Sequence, residues 1–176
     1  MRYFPVLLWF AALVGCSHLD TRATGVDFSG KWRLDAGASD AALPLPRSRA
    51  DQEEERPNVS GAPPPRFVGP SPLLPMLTAT EMTISEDATG MGIAYPDQPY
   101  RDIKWGEQKR TLYVVNAGWD HDRLVIETTS KPMTVREVYA LSDAGNTLTL
   151  VVELHSHQGG SRHVTRVFRR APDSAR

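Results

Sequence analysis

Cys16 is the only cysteine in the 176-residue chain. A lone cysteine cannot close an internal disulfide, which leaves thiol chemistry or covalent modification as its use. Three histidines, His155, His157 and His163, cluster around Gly159-Gly160. His155 and His157 lie two apart, so on a strand they share a face, and with His163 from the next strand they could bind zinc. Register decides this: a two-residue turn sets His157 opposite Arg162, and a three-residue loop sets it opposite His163. The apolar face of the segment is Leu148, Leu150, Val152 and Leu154, so both histidines are expected on the solvent side and no metal site is expected. Asp120-His121-Asp122 has the residue types of a metal or acid–base cluster. Adjacent turn residues diverge, however, and an aspartate before a turn bonds its own backbone.

Glu137 differs from these. It alternates in phase with Val135, Tyr139 and Leu141, the apolar face of its segment. An inward glutamate needs a partner, or burial disfavours its charge. Arg166, in phase with Val164 and Phe168, is the expected partner. Such a pair either closes the fold or anchors a ligand in a pocket that Tyr139 would share; the sequence leaves both open. Glu127 falls opposite Leu124 and Ile126 and is expected at the surface. The chain holds no Gly-x-Ser-x-Gly elbow and no phosphate loop. No catalytic residue and no cofactor are identified, and an enzyme is not expected.

The elements that position these residues follow a period of two. Phe28 to Asp35 reads as a first strand. From Met82 onward apolar and polar residues alternate, and Asp87-Ala88-Thr89-Gly90, Asp120-His121-Asp122, Asp143-Ala144-Gly145-Asn146 and Gly159-Gly160 supply turns. The pattern predicts an all-β fold: an antiparallel meander of about eight or nine strands, without an amphipathic helix. Closing the meander into a barrel removes exposed edges. The domain is expected over 28–170, with a tail at 171–176. Residues 41–75 hold most of the chain's 14 prolines. Proline lacks a backbone donor, so this stretch is expected to be an extended or mobile insertion.

The N-terminus pairs Arg2 with a nearly unbroken apolar run from Tyr3 to Val14, then Gly15-Cys16. A basic start, a short apolar stretch and a small-residue boundary describe a signal peptide over 1–15, and the run is too short to span a bilayer comfortably. Leu13-Val14-Gly15-Cys16 resembles the lipobox of bacterial lipoproteins. That resemblance implies acylation of Cys16, a polar tether over 16–27 and a membrane partner. Ser17 after the cysteine, where an aspartate favours the inner membrane, implies the outer membrane, facing the periplasm. The net charge is −1, and no basic stripe suggests nucleic acid.

Gly30-Lys31-Trp32 resembles the Gly-x-Trp of lipocalins and related calycin barrels. In those folds the first-strand tryptophan closes one barrel end and a basic residue of the last strand packs across it; here the last strand offers Arg166, Arg169 and Arg170, and Arg166, in phase with Val164 and Phe168, is the expected cover of Trp32. The chain also resembles a group of poorly characterised secreted bacterial lipoproteins. The residues that carry this are Ser29 to Asp35, Trp119 to Thr128 and Thr134 to Ser142. It departs at His121, where the pattern has glycine. The resemblance implies a calycin-like barrel and assigns no catalytic residues. Two functions remain in view. One is a barrel holding a small apolar or amphipathic molecule. The other is an envelope protein that engages a protein partner through its insertion or outer face, without a ligand.

Overall fold

The computed structural model describes residues 19–21, 25–41 and 74–172. Cys16, the signal segment and residues 42–73 of the proline-rich stretch lie outside the described residues.

Ten antiparallel strands form one sheet: β1 (Gly30–Leu34), β2 (Glu81–Asp87), β3 (Gly90–Tyr95), β4 (Gln98–Lys104), β5 (Gly106–Lys109), β6 (Tyr113–Asp120), β7 (Arg123–Ser130), β8 (Met133–Ser142), β9 (Thr147–Ser156) and β10 (Ser161–Arg170). The order is β4-β3-β2-β1-β10-β9-β8-β7-β6-β5. First and last strands meet, with Trp32 opposite Arg170 and Leu34 opposite Phe168. The meander therefore rolls into a barrel that is nearly closed, with β4 and β5 as its two edges among the described residues. The predicted all-β class and calycin-like closure hold, with ten strands rather than eight or nine. The extra strand comes from the stretch around Trp105, where one chain segment turns sharply into two short strands.

Turn chemistry sets the hairpins. Asp87 Oδ1 accepts hydrogen bonds from the Thr89 N–H (2.6 Å), the Thr89 hydroxyl (2.7 Å) and the Gly90 N–H (3.0 Å), which fixes the β2–β3 reversal. At the β6–β7 reversal His121 takes φ 61°, a left-handed conformation that glycine adopts without strain.

The inward faces of the strands supply the core, and two segments outside the strands complete it. Phe28, just before β1, is wholly buried and meets Trp119 at 5.6 Å and Tyr139 edge-on at 6.4 Å. A single 3₁₀ turn, Pro75–Leu77, inserts Met76 and Leu77 before β2. Leu19 and Asp20, within the stretch read as a tether, dock on the barrel. Asp20 and Trp119 exchange backbone hydrogen bonds of 2.9 and 2.7 Å, where β6 runs on past the end of β5.

Candidate functional site

Trp32 is buried at one end of the barrel, and its indole N–H donates to the Phe28 carbonyl at 2.9 Å. The guanidinium above its ring belongs to Arg170, 4.4 Å from the centroid, and not to Arg166. Arg166, Phe168 and Arg170 all share the inward phase, so the alternation held. What shifted is the stagger between first and last strands, which side-chain periodicity does not encode. Arg170 is fixed further by donating to the carbonyls of Ser29 (2.6 Å) and Gly145 (2.8 Å). Arg169 faces outward and pairs with Asp35 at 3.1 Å.

Arg166 is a different object. It points inward and is 2 % exposed. Its Nη2 donates to the Ala79 carbonyl at 2.7 Å, and its Nε is buried with no partner. No carboxylate among the described residues pairs with it, and burial holds its pKa below the ordinary arginine value. A buried guanidinium without an anion is costly, because desolvation is not offset by attraction. The structure places it beside the Leu74–Ala79 segment, whose Met76 and Leu77 are packed into the core.

Glu137 is wholly buried, as its phase predicted, but its partner is Arg101 of β4 rather than Arg166. The pair is bidentate: Nη1 to Oε2 at 2.9 Å and Nη2 to Oε1 at 2.8 Å. The Tyr139 hydroxyl donates a third bond to Oε2 at 2.7 Å. In the strand order β4 and β8 stand on different walls of the barrel, so this ion pair crosses the interior. Burial disfavours the Arg101 cation, yet the adjoining Glu137 carboxylate more than compensates and holds its pKa above the ordinary value. Burial, with Glu137 adding to it, keeps Tyr139 un-ionised. Tyr95 is 6 % exposed, and its hydroxyl is buried without a hydrogen bond. Burial pushes its pKa up to about 12, with Arg101 and Glu137 near enough to act on it in opposite senses.

The histidines do not converge. His155 stands opposite Ser161 and bonds its hydroxyl at 2.8 Å, while His163 stands opposite Glu153. His157 lies in the loop, where its Nδ1 is 2.9 Å from the Lys131 carbonyl. The loop spans His157 to Gly160, one residue longer than the longer of the two expected registers. Among the described residues no group of three metal-ligating side chains is assembled. Asp120 instead binds Arg123 at 2.9 Å and the His121 ring at 2.8 Å, both at the surface.

The sequence assigned no site role to Arg101, Tyr95 or Phe28, and Arg166 was expected ahead of Arg170 over Trp32. Arg101 was legible in one respect: it alternates with Ile103, which is buried. Phe28 shares the phase of Trp32 and was expected within the first strand, but it lies two residues ahead of β1.

No protein-family model matches the chain, and no curated protein matches it. Among solved structures, a fatty acid transporter designated REP1-NXSQ is similar at 14% identity, covering 82% of this chain and 96% of its own, with a TM-score of 0.50. Zebrafish ileal bile acid-binding protein complexed with cholic acid is similar at 13% identity, covering 82% and 98%, with a TM-score of 0.46. A secretory abundant heat soluble protein from Ramazzottius varieornatus has 13% identity, coverage of 85% and 99%, and a TM-score of 0.46. At these identities the likeness establishes the fold, and the first of them carries it.

Proposed function

We propose that this chain is a lipid-anchored protein of the bacterial envelope whose barrel takes up a small amphipathic molecule with an acidic head group. The observation that carries the reading is Arg166, a cation buried in the barrel that has, among the described residues, one backbone acceptor and no counter-ion. A carboxylate or phosphate placed there would gain charge-assisted hydrogen bonds from Nε and offset the desolvation of the guanidinium. The apolar remainder of the molecule would occupy the space now held by Met76 and Leu77. Both come from a segment outside the sheet, so they can withdraw without breaking a strand ladder. The solved structure with the TM-score of 0.50 is described as a fatty acid transporter, which accords with this class of ligand.

Anchoring rests on the sequence: the signal segment and the lipobox-like Leu13 to Cys16 would place the barrel on the outer membrane, facing the periplasm. Native mass spectrometry of the purified Cys16→Ser protein tests the ligand. A co-purifying acidic amphiphile supports the reading, and its absence under conditions that preserve the fold counts against it.

One observation favours a second reading. The interior is filled by its own side chains: Trp32, Trp119, Tyr139, Phe28 and Phe168 are all within 1 % of complete burial. A barrel that stays in this state would serve as a scaffold for an envelope partner and would bind no small molecule.

A further inference from the structure

We propose that Arg101 is a second carboxylate-binding position of the barrel, and that Glu137 occupies it as an internal competitor for an acidic ligand. This inference rests on the reading of the barrel as a ligand binder.

The geometry around Glu137 is that of a bound carboxylate. A guanidinium fork grips both oxygens at 2.8 and 2.9 Å, and a tyrosine hydroxyl adds a third donor at 2.7 Å. Arg–carboxylate pairs of this form are among the strongest and most directional hydrogen-bonded contacts. A carboxylate offers about four acceptor sites. Three are used here, and the buried Tyr95 hydroxyl lies close enough for Arg101 and Glu137 to act on it.

The unmet polar groups of the core point the same way. Tyr95 Oη, Trp119 Nε1 and Arg166 Nε are buried without partners, and the latter two can only donate. Among the described residues the barrel also encloses two guanidiniums, Arg101 and Arg166, against the one buried carboxylate of Glu137. A complementary guest supplies acceptors and negative charge.

Access favours Arg101 over a purely structural pair. Its side chain is 13 % exposed, whereas that of Glu137 is 1 % exposed, so the cation is the member an incoming group reaches. Arg101 sits on β4, an edge strand paired with β3 alone, and the β3–β4 register shifts between Ile93 and Tyr95, beside it. A ligand carboxylate exchanges for Glu137 on the same fork, and Glu137 must give up both N–H bonds for that to happen. Wild-type affinity is lowered by that exchange.

The test has a definite sign. Glu137→Gln keeps the shape and the Tyr139 contact but removes the competing charge. Titration of the full chain with dodecanoate, followed by calorimetry, should show binding about tenfold tighter than wild type. Dodecanol, which lacks the charge, should show no such gain. The double variant Arg101→Gln/Glu137→Gln removes both charges and should lose the gain, which separates charge competition from loosening of the barrel. Equal or weaker dodecanoate binding by folded Glu137→Gln overturns the inference while leaving the ligand reading intact. Should wild type, Glu137→Gln and the double variant all bind neither probe, both fail together.

Discussion

The Arg170 guanidinium lies 4.4 Å from the centre of the Trp32 ring, and the two residues face each other across the pair of strands that joins the chain's beginning to its end. This contact caps the barrel at the point where closure depends on residues far apart in sequence. It also ties down the approach to β1, because Arg170 holds the Ser29 carbonyl and Trp32 holds that of Phe28.

Trp32→Ala should therefore open a large cavity and cost about 3–5 kcal/mol. Arg170→Ala should cost less, about 1–2 kcal/mol, from the cation–π contact and its carbonyl bonds. The double variant should be non-additive, since the two changes remove one shared contact. Arg166→Ala should not couple to Trp32 in the same cycle. Chemical denaturation of wild type, the three single variants and the two double variants that pair Trp32→Ala with each arginine change measures all of this.

Much of this frame could be read from residue order. The alternation of Met82 with Ile84, and of Val135 with Glu137, Tyr139 and Leu141, names the inward face correctly, because a strand's side chains alternate whatever the tertiary context. Turn residues such as Asp87 announce reversals by bonding their own backbone. Quantities that depend on how strands slide past one another were not legible. Arg170 rather than Arg166 covers Trp32 because the stagger of the closing pair is a property of the whole barrel. Glu137 finds Arg101 because β4 lies across the interior, a relation no local pattern contains. Met76 enters the core from an irregular segment and leaves no periodic trace, whereas Phe28 keeps the phase of Trp32 although it lies ahead of β1.

Gly118 should tolerate no side chain. A Cβ there would lie 2.6 Å from the Asp20 carbonyl oxygen and 2.9 Å from Leu19 Cβ. Gly118→Val should detach residues 19–20 from β6, seen as faster amide exchange at Asp20 and Trp119, while the β7–β9 ladder stays protected. Unchanged exchange at both amides would show that this contact is not what excludes the side chain.

His121 is held at φ 61° in the β6–β7 turn. Replacing it with glycine relieves left-handed strain of about 1 kcal/mol but adds unfolded-state freedom and removes the His121–Asp120 contact. His121→Gly should thus alter the thermal midpoint little, in the stabilising direction. A clear loss would mean the Asp120 contact outweighs the backbone term.

Stability should fall in acid. Hydrogen bonds to the carboxylates of Asp35, from Arg169, and of Asp87, from Thr89, hold both below the usual aspartate pKa. A lowered folded-state pKa contributes stability that is present above the unfolded value of about 4 and is lost as pH falls through the folded value. Glu86 acts in the opposite sense: burial raises its pKa, so its contribution is full below the unfolded value and is lost as pH rises through the folded one. Asp87→Asn should lower stability at neutral pH, and its gap from wild type should close as pH falls through the lowered folded-state pKa of Asp87. A gap that persists unchanged in acid would assign the loss to turn geometry instead of charge.

Lipidation carries the proposed location. Cys16→Ser should abolish incorporation of a palmitate analogue and release the protein from the membrane fraction. Persistent labelling and pelleting of that variant would refute the anchor.

The central claim is that Arg166 holds the acidic head group of an amphipathic guest. Its most direct test is calorimetric titration of the Cys16→Ser protein and its Arg166→Met derivative with dodecanoate and dodecanol. The first protein should bind dodecanoate at least about tenfold more tightly than dodecanol, and Arg166→Met, still folded, should lose this preference. An unchanged preference in Arg166→Met, or no binding of dodecanoate by the Cys16→Ser protein, would contradict it.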